Sequence, residues 1–152
     1  MAWLAQAVKS ALAGMPPRTT VVFTAHSLPE RILPAGDPYP EQLRATAEAV
    51  ATMAGLERVT TGWQSAGRTA DTWLGPDVLE VIDHLSSAGE EGVVVSPCGF
   101  VADHLEVLYD VDIEAADRAR RRGLAFGRTA SPNDDPEFLD VVTGVAARAL
   151  AA

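Results

Sequence analysis

Two hydrophobic rhythms alternate along the chain. Short runs of apolar and β-branched residues, Thr19 to Ala25, Arg58 to Trp63, Gly92 to Ser96 and Leu124 to Thr129, predict four strands. Longer stretches between them repeat apolar residues at helical spacing. Ala2 to Gly14 predicts a helix with Trp3, Leu4, Ala7, Val8, Ala11 and Leu12 on its apolar side, stopped by Gly14 and the prolines after it. Asp37-Pro38 opens a second helix, running to about Met53 and closed by Gly55. Gly75-Pro76-Asp77 opens a third, with Val78, Leu79, Ile82 and Leu85 facing inward and Gly89 at its end. A fourth follows Gly99 and runs to about Arg122, before Gly123. The last begins at Asp135-Pro136 and reaches Ala151.

Strand and helix alternate throughout, a pattern that predicts an α/β fold: a doubly wound, four-stranded parallel sheet with helices on both faces. Right-handed crossovers favour the strand order 2-1-3-4. In that order the first and third strands are neighbours, and a crevice opens beyond their carboxyl ends where the winding direction switches. His26-Ser27-Leu28-Pro29 lies just past the first strand, and the segment past the third leads to Glu106. Topology therefore places His26 and Glu106 on facing lips of one crevice.

Composition narrows the function. The length of 152 residues suits a single domain with its own core, and the 47% hydrophobic content agrees. A net charge of −9 argues against nucleic acid as a partner. No apolar run is long enough to span a membrane, no signal-peptide plan opens the chain, and the expected location is the cytoplasm. The lone Cys98 excludes an internal disulfide and reads as a small buried hydrophobe; His84 reads as a surface residue.

The fourth helix carries the most informative pattern. With Leu105, Leu108, Tyr109 and Ile113 as its inward stripe, Glu106, Asp110 and Glu114 recur every four residues as a row of carboxylates. Like charges at that spacing repel in a solvated helix. A positive species moving along the row gives the spacing a purpose. A solvated first-turn acid is the bland alternative for Glu106, and an N-cap or first-turn acid is the favoured one for Asp103. His104 is open between a functional role and support of Glu106. Tyr39, between two prolines, reads equally as a ligand wall or a loop anchor.

Taken in order, these residues resemble a known family. Thr24-Ala25-His26-Ser27-Leu28-Pro29, Gly36-Asp37-Pro38-Tyr39-Pro40, Trp63-Gln64-Ser65, Trp73-Leu74-Gly75-Pro76, the stretch from Phe100 to Glu114 and Asn133-Asp134 look like those of the ferrochelatases. The resemblance implies a chelatase-like, flavodoxin-like half that serves insertion of ferrous iron into a porphyrin during haem synthesis. Members of the family have two similar halves with the porphyrin between them, and this chain resembles only the second, so the amino-terminal half is expected to be missing. Two alternatives stand beside this reading: a self-sufficient homodimeric small chelatase for cobalt or iron, and a non-catalytic porphyrin or metal-binding module.

By position, the resemblance makes His26 and Glu106 the catalytic pair, with Asp103 and His104 in support. His26, Glu106, Asp110 and Glu114 become the metal residues, and Tyr39, Trp63, Gln64 and Ser65 the porphyrin-binding ones. The expected partners are porphyrin, ferrous iron as substrate, and the missing half or a second copy of the chain. No permanently bound cofactor and no iron–sulfur cluster is expected, because the cluster cysteines of some members are lacking. The porphyrin is coproporphyrin III or protoporphyrin IX, with a slight lean to the former. Insertion must remove two pyrrole protons, bend the macrocycle and strip water from the metal. An imidazole titrating near working pH and carboxylates with hard oxygen donors suit those tasks. So crowded an acidic helix also invites a π-bulge.

Overall fold

A computed structural model of the chain describes residues 1–151. The elements run α1 (Ala2–Leu12), β1 (Thr19–His26), a 3-10 turn (Glu30–Ile32), α2 (Tyr39–Ala54), β2 (Val59–Gln64), α3 (Val78–Ser87) and β3 (Gly92–Ser96). A short α4 (Leu105–Val107) then passes directly into a π-helix (Leu108–Ala115) and α5 (Ala116–Arg121), followed by β4 (Ala125–Arg128) and α6 (Pro136–Leu150). All three strand pairings are parallel, in the order β2-β1-β3-β4, as expected.

The strands are continuous apolar runs because both faces of the sheet are covered. Alternate residues of β1 point to opposite sides. Val21, Phe23 and Ala25 join Ala5, Val8, Leu43, Ala47 and Val50 of α1 and α2. Val22 instead joins Val78, Val81 and Ile82 of α3 with Val111, Ala115 and Ala119 beyond the third strand. Burying Phe23 or Ile82 completely stabilises the fold by about 1.5–3 kcal/mol per side chain.

Local signals explain the helix ends. Asp77 caps α3, its side chain accepting from Leu79 N while Glu80 accepts from Asp77 N, a reciprocal capping box. Asp135 caps α6 through Glu137 N and Phe138 N. At α2 the helix starts two residues past Asp37, whose carboxylate accepts from Tyr39 N while Pro38 takes the cap position. Gly55 closes α2 in the left-handed conformation.

Two expectations are corrected. Residues 99–104 form a loop rather than the first turns of a helix, because the loop's polar groups find partners outside any helix. Asp103 accordingly is neither N-cap nor first-turn acid: its main-chain N–H donates to Asn133 Oδ1 and its carboxylate binds Arg128, Ser131 and Asn133. The inward stripe also differs. Leu105, Leu108, Tyr109 and Ile113 are exposed, and Val107, Val111, Ala115 and Ala119 are the buried set. A straight α-helix turns 100° per residue, so four positions spaced by four fan across roughly 120° of its surface. The wider π turns hold the four-residue repeat in one line, and the buried and acidic rows run side by side along it.

α6 stands apart. None of its residues is buried, and Leu139, Val141, Val142 and Val145 present an uncovered apolar surface.

Candidate functional site

β1 ends at His26, where the sheet stops and the main chain leaves toward Pro29. The histidine Nδ1 lies 2.6 Å from Ser27 O, and a carbonyl oxygen only accepts, so the ring hydrogen sits on Nδ1. In the neutral ring Nε2 therefore carries a lone pair. That nitrogen faces Glu106 Oε2 at 3.5 Å. The residues expected on facing lips of the crevice thus meet.

Two electron-pair donors pointing at each other call for something positive between them. A proton on Nε2 converts the contact into an ion pair. A divalent metal ion does the same: two ligands at zinc-like bond lengths of about 2.1 Å and tetrahedral angles stand about 3.4 Å apart. Both side chains reach solvent, the imidazole 35% exposed and the carboxylate 54%. An ion or a flat ligand can approach from outside.

Glu106 is the first residue of the acidic row. Asp110 and Glu114 continue it along one wall of a cleft of about 430 Å³, whose opposite wall is Gln64, Ser65 and Asp77. Ser65 Oγ donates to Asp110 Oδ2 across the cleft. The serine has a positive φ of 60°, an unusual backbone for a residue with a side chain. Burial raises the Asp77 carboxyl above its ordinary value, with the charges of Glu80 and Asp110 acting in the same direction.

The other residues singled out from the sequence surround this pair in different ways. His104 is exposed at the N-cap of α4, its ring 5.1 Å from that of Phe100, which in turn lies 6.3 Å from the ring of His26. Tyr39 Oη donates to His26 O at 3.0 Å, and its ring lies 5.5 Å from that of Trp63. Burial raises the phenol, so it remains a donor that ties α2 to the end of β1. Trp63 is buried under that contact. Gln64 is buried too: its Oε1 accepts from Thr24 Oγ1, while Nε2 has no hydrogen-bond partner among the described residues.

Two residues here escaped the sequence reading. Phe100 bridges the two histidine rings, and nothing in its local pattern separates it from a loop anchor. Arg128 binds Asp103 and stands beside Asp112, and only the fold brings those segments together.

A family model described as Ferrochelatase matches residues 1–150. The coproporphyrin III ferrochelatase of Geobacillus kaustophilus is 45% identical over 146 residues, which cover 93% of this chain and 46% of that protein. The ferrochelatase of Herpetosiphon aurantiacus is 45% identical over 149 residues, covering 93% of this chain and 49% of that protein. The chain thus spans about half the length of the curated relatives it matches. Among solved structures, a putative cobalamin (vitamin B12) biosynthesis CbiX protein from Marinobacter aquaeolei VT8 superposes with a TM-score of 0.60 at 15% identity. It covers 88% of this chain and 98% of its own, a likeness of fold.

Proposed function

The chain belongs to the ferrochelatase family, and from that premise we propose that it supplies the metal-inserting wall of a chelatase that places ferrous iron into a porphyrin. The observation that carries the reading is the pair His26 Nε2 and Glu106 Oε2, two donors 3.5 Å apart at the open end of a parallel sheet. His26 takes a pyrrole proton or ligates the incoming ion through its free lone pair. Glu106 takes the second proton or shares the ion. Asp110 and Glu114 form the line along which the hydrated cation arrives and sheds water. His104 and Asp103 support Glu106 from the loop before it.

Coproporphyrin III is the preferred porphyrin in this reading, because several relatives at about 45% identity carry that substrate in their names. The exposed rings and chains of Leu105, Leu108 and Tyr109 beside the acidic row offer a flat macrocycle an apolar rest. Tyr39, Trp63, Gln64 and Ser65 are the porphyrin-binding residues of this reading, and Gln64 and Ser65 line the cleft beside the acidic row.

A second polypeptide surface completes the site. The relatives are about twice as long, and a helix of fifteen residues with no buried side chain is marginal in water. A second half of similar size covering α6 provides the porphyrin's other wall.

The test is anaerobic loss of coproporphyrin III or protoporphyrin IX fluorescence on adding ferrous iron. The chain is assayed alone over a range of concentrations and mixed with the other half of a longer relative. His26→Ala is expected to reduce insertion by at least about 100-fold, within the usual contribution of a proton-transfer group, while porphyrin still binds. Wild-type turnover by that variant contradicts the assignment. Porphyrin binding without insertion in every arm turns the reading to a binding module.

A further inference from the structure

Arg128 closes β4 with a side chain only 17% exposed, and its guanidinium is shared between two carboxylates. Nη1 donates to Asp103 Oδ1 at 2.9 Å, and Nε stands 2.7 Å from Asp112 Oδ1. Asp103 belongs to the loop that carries Phe100 and His104. Asp112 belongs to the π-helix. Ser131 Oγ donates to the same Oδ1 of Asp103 and Asn133 Nδ2 to its Oδ2, and Asn133 N donates to Val101 O, so the loop is fastened along its length. Glu106 lies in the chain between the two carboxylates that Arg128 joins.

A guanidinium presents its donors in a rigid planar fork, whereas an ammonium is a single point of charge. The fork fixes the relative positions of two acids more rigidly than an ammonium on a flexible stem can. We propose that Arg128 is a positioning residue for the His26–Glu106 pair: it locks the loop to the π-helix and so fixes where Glu106 meets His26. The kinetic consequence rests on the proposed insertion chemistry, but the geometry does not.

The experiment compares the full chain with R128Q and R128K. Ring-to-ring nuclear Overhauser effects between His26 and Phe100, and between Phe100 and His104, report the site directly. Amide hydrogen exchange reports residues 99–104 and 108–115. R128Q is expected to lose both ring contacts and to raise exchange in both segments by at least about tenfold, with the amides of β1 and β3 unchanged. R128K is expected to keep the protection of one segment and lose that of the other. In the insertion assay R128Q is expected to lower kcat on the order of 100-fold, as a displacement of about 1 Å does, with KM for porphyrin changed less than twofold.

Retained ring contacts and retained protection in R128Q overturn the proposal. So does a loss of protection spread equally over the sheet, which marks Arg128 as a general stabiliser. If R128Q does not fold, R128K decides by the same measurements. A wild-type chain that inserts no iron even when mixed with the other half of a longer relative removes the insertion chemistry, while the ring contacts and exchange still judge Arg128.

Discussion

Replacing Gly99 with alanine tests whether the loop's close approach to β1 sets the active geometry. A Cβ at position 99 would lie 2.5 Å from the Cβ of Ala25, 2.7 Å from its Cα and 3.4 Å from Thr24 O. Carbon atoms in contact prefer about 3.5–4.0 Å, so loop and strand must part by about 1 Å. The 3.0 Å hydrogen bond from Gly99 N to Thr24 O would then stretch to about 4 Å and be lost. Overpacking costs about 1–3 kcal/mol and the lost bond about 0.5–1.5, together about 2–4 kcal/mol. At about 2–4 °C per kcal/mol for a domain of this size, Tm falls on the order of 10 °C.

The same displacement reaches the chemistry proposed for the site. Ala25 immediately precedes His26, and Gly99 begins the loop that leads to Glu106. A misplacement of about 1 Å between reacting groups lowers turnover on the order of 100-fold. Calorimetry and the iron-insertion assay, the latter with the other half of a longer relative present, are read on the same preparation of Gly99→Ala. Adding Ala25→Gly removes the nearer contact but leaves the one to Cα, so it is expected to restore part of both losses. Wild-type Tm and turnover in Gly99→Ala refute the argument. A lowered Tm with full turnover refutes its second half, because the strain is then relieved away from His26.

Two further predictions concern ionisable groups. Hydrogen bonds from Asn133, then Ser131 and Arg128, hold the Asp103 carboxyl below the usual carboxylate range; its stabilisation is therefore present above about pH 4 and lost as pH falls through the lowered folded value. Asp103→Asn should cost about 1 kcal/mol at pH 7, the side chain being 31% exposed, and the gap from wild type in urea unfolding should narrow below about pH 4; a gap independent of pH contradicts the role of the charge. Burial pushes the Cys98 thiol up to about 12, so at pH 8 iodoacetamide should alkylate the folded chain on the order of a thousandfold more slowly than the urea-unfolded one. Equal rates, read by mass spectrometry, contradict that burial.

The sheet was legible in the sequence because parallel strands covered on both faces leave unbroken apolar runs, and Thr19–His26 or Gly92–Ser96 cannot be solvated on either side. The meeting of His26 and Glu106 followed from strand order, since neighbours at a switch point share a crevice. The helix after the third strand was harder to read. The crowded acids pointed to the π turns found there, but a 3.6-residue rhythm selects Leu105, Leu108, Tyr109 and Ile113, whereas the chain buries Val107, Val111, Ala115 and Ala119. Arg128 was hidden for another reason. Its partners Asp103 and Asp112 are distant in sequence, and no periodicity records a tie made by tertiary contact.

The pairing of charges gives the acidic row its meaning in the proposed chemistry. Between residues 103 and 117 the acids fall into two groups. Asp103 and Asp112 share Arg128, and Asp117 is met by Arg120 and Arg121. Glu106, Asp110 and Glu114 have no arginine or lysine partner among the described residues; Asp110 has only the Ser65 hydroxyl and Glu106 only His26. Carboxylates four residues apart on one face of a helix repel by a few tenths of a kcal/mol per pair. An α-helix would relieve this by fanning them around its axis, and the π turns keep them aligned instead. A passing divalent cation reverses the sign, since each neighbouring carboxylate attracts it with twice the force of a single charge. Filling the row with a lysine would stabilise the helix and, by the same arithmetic, close the proposed path.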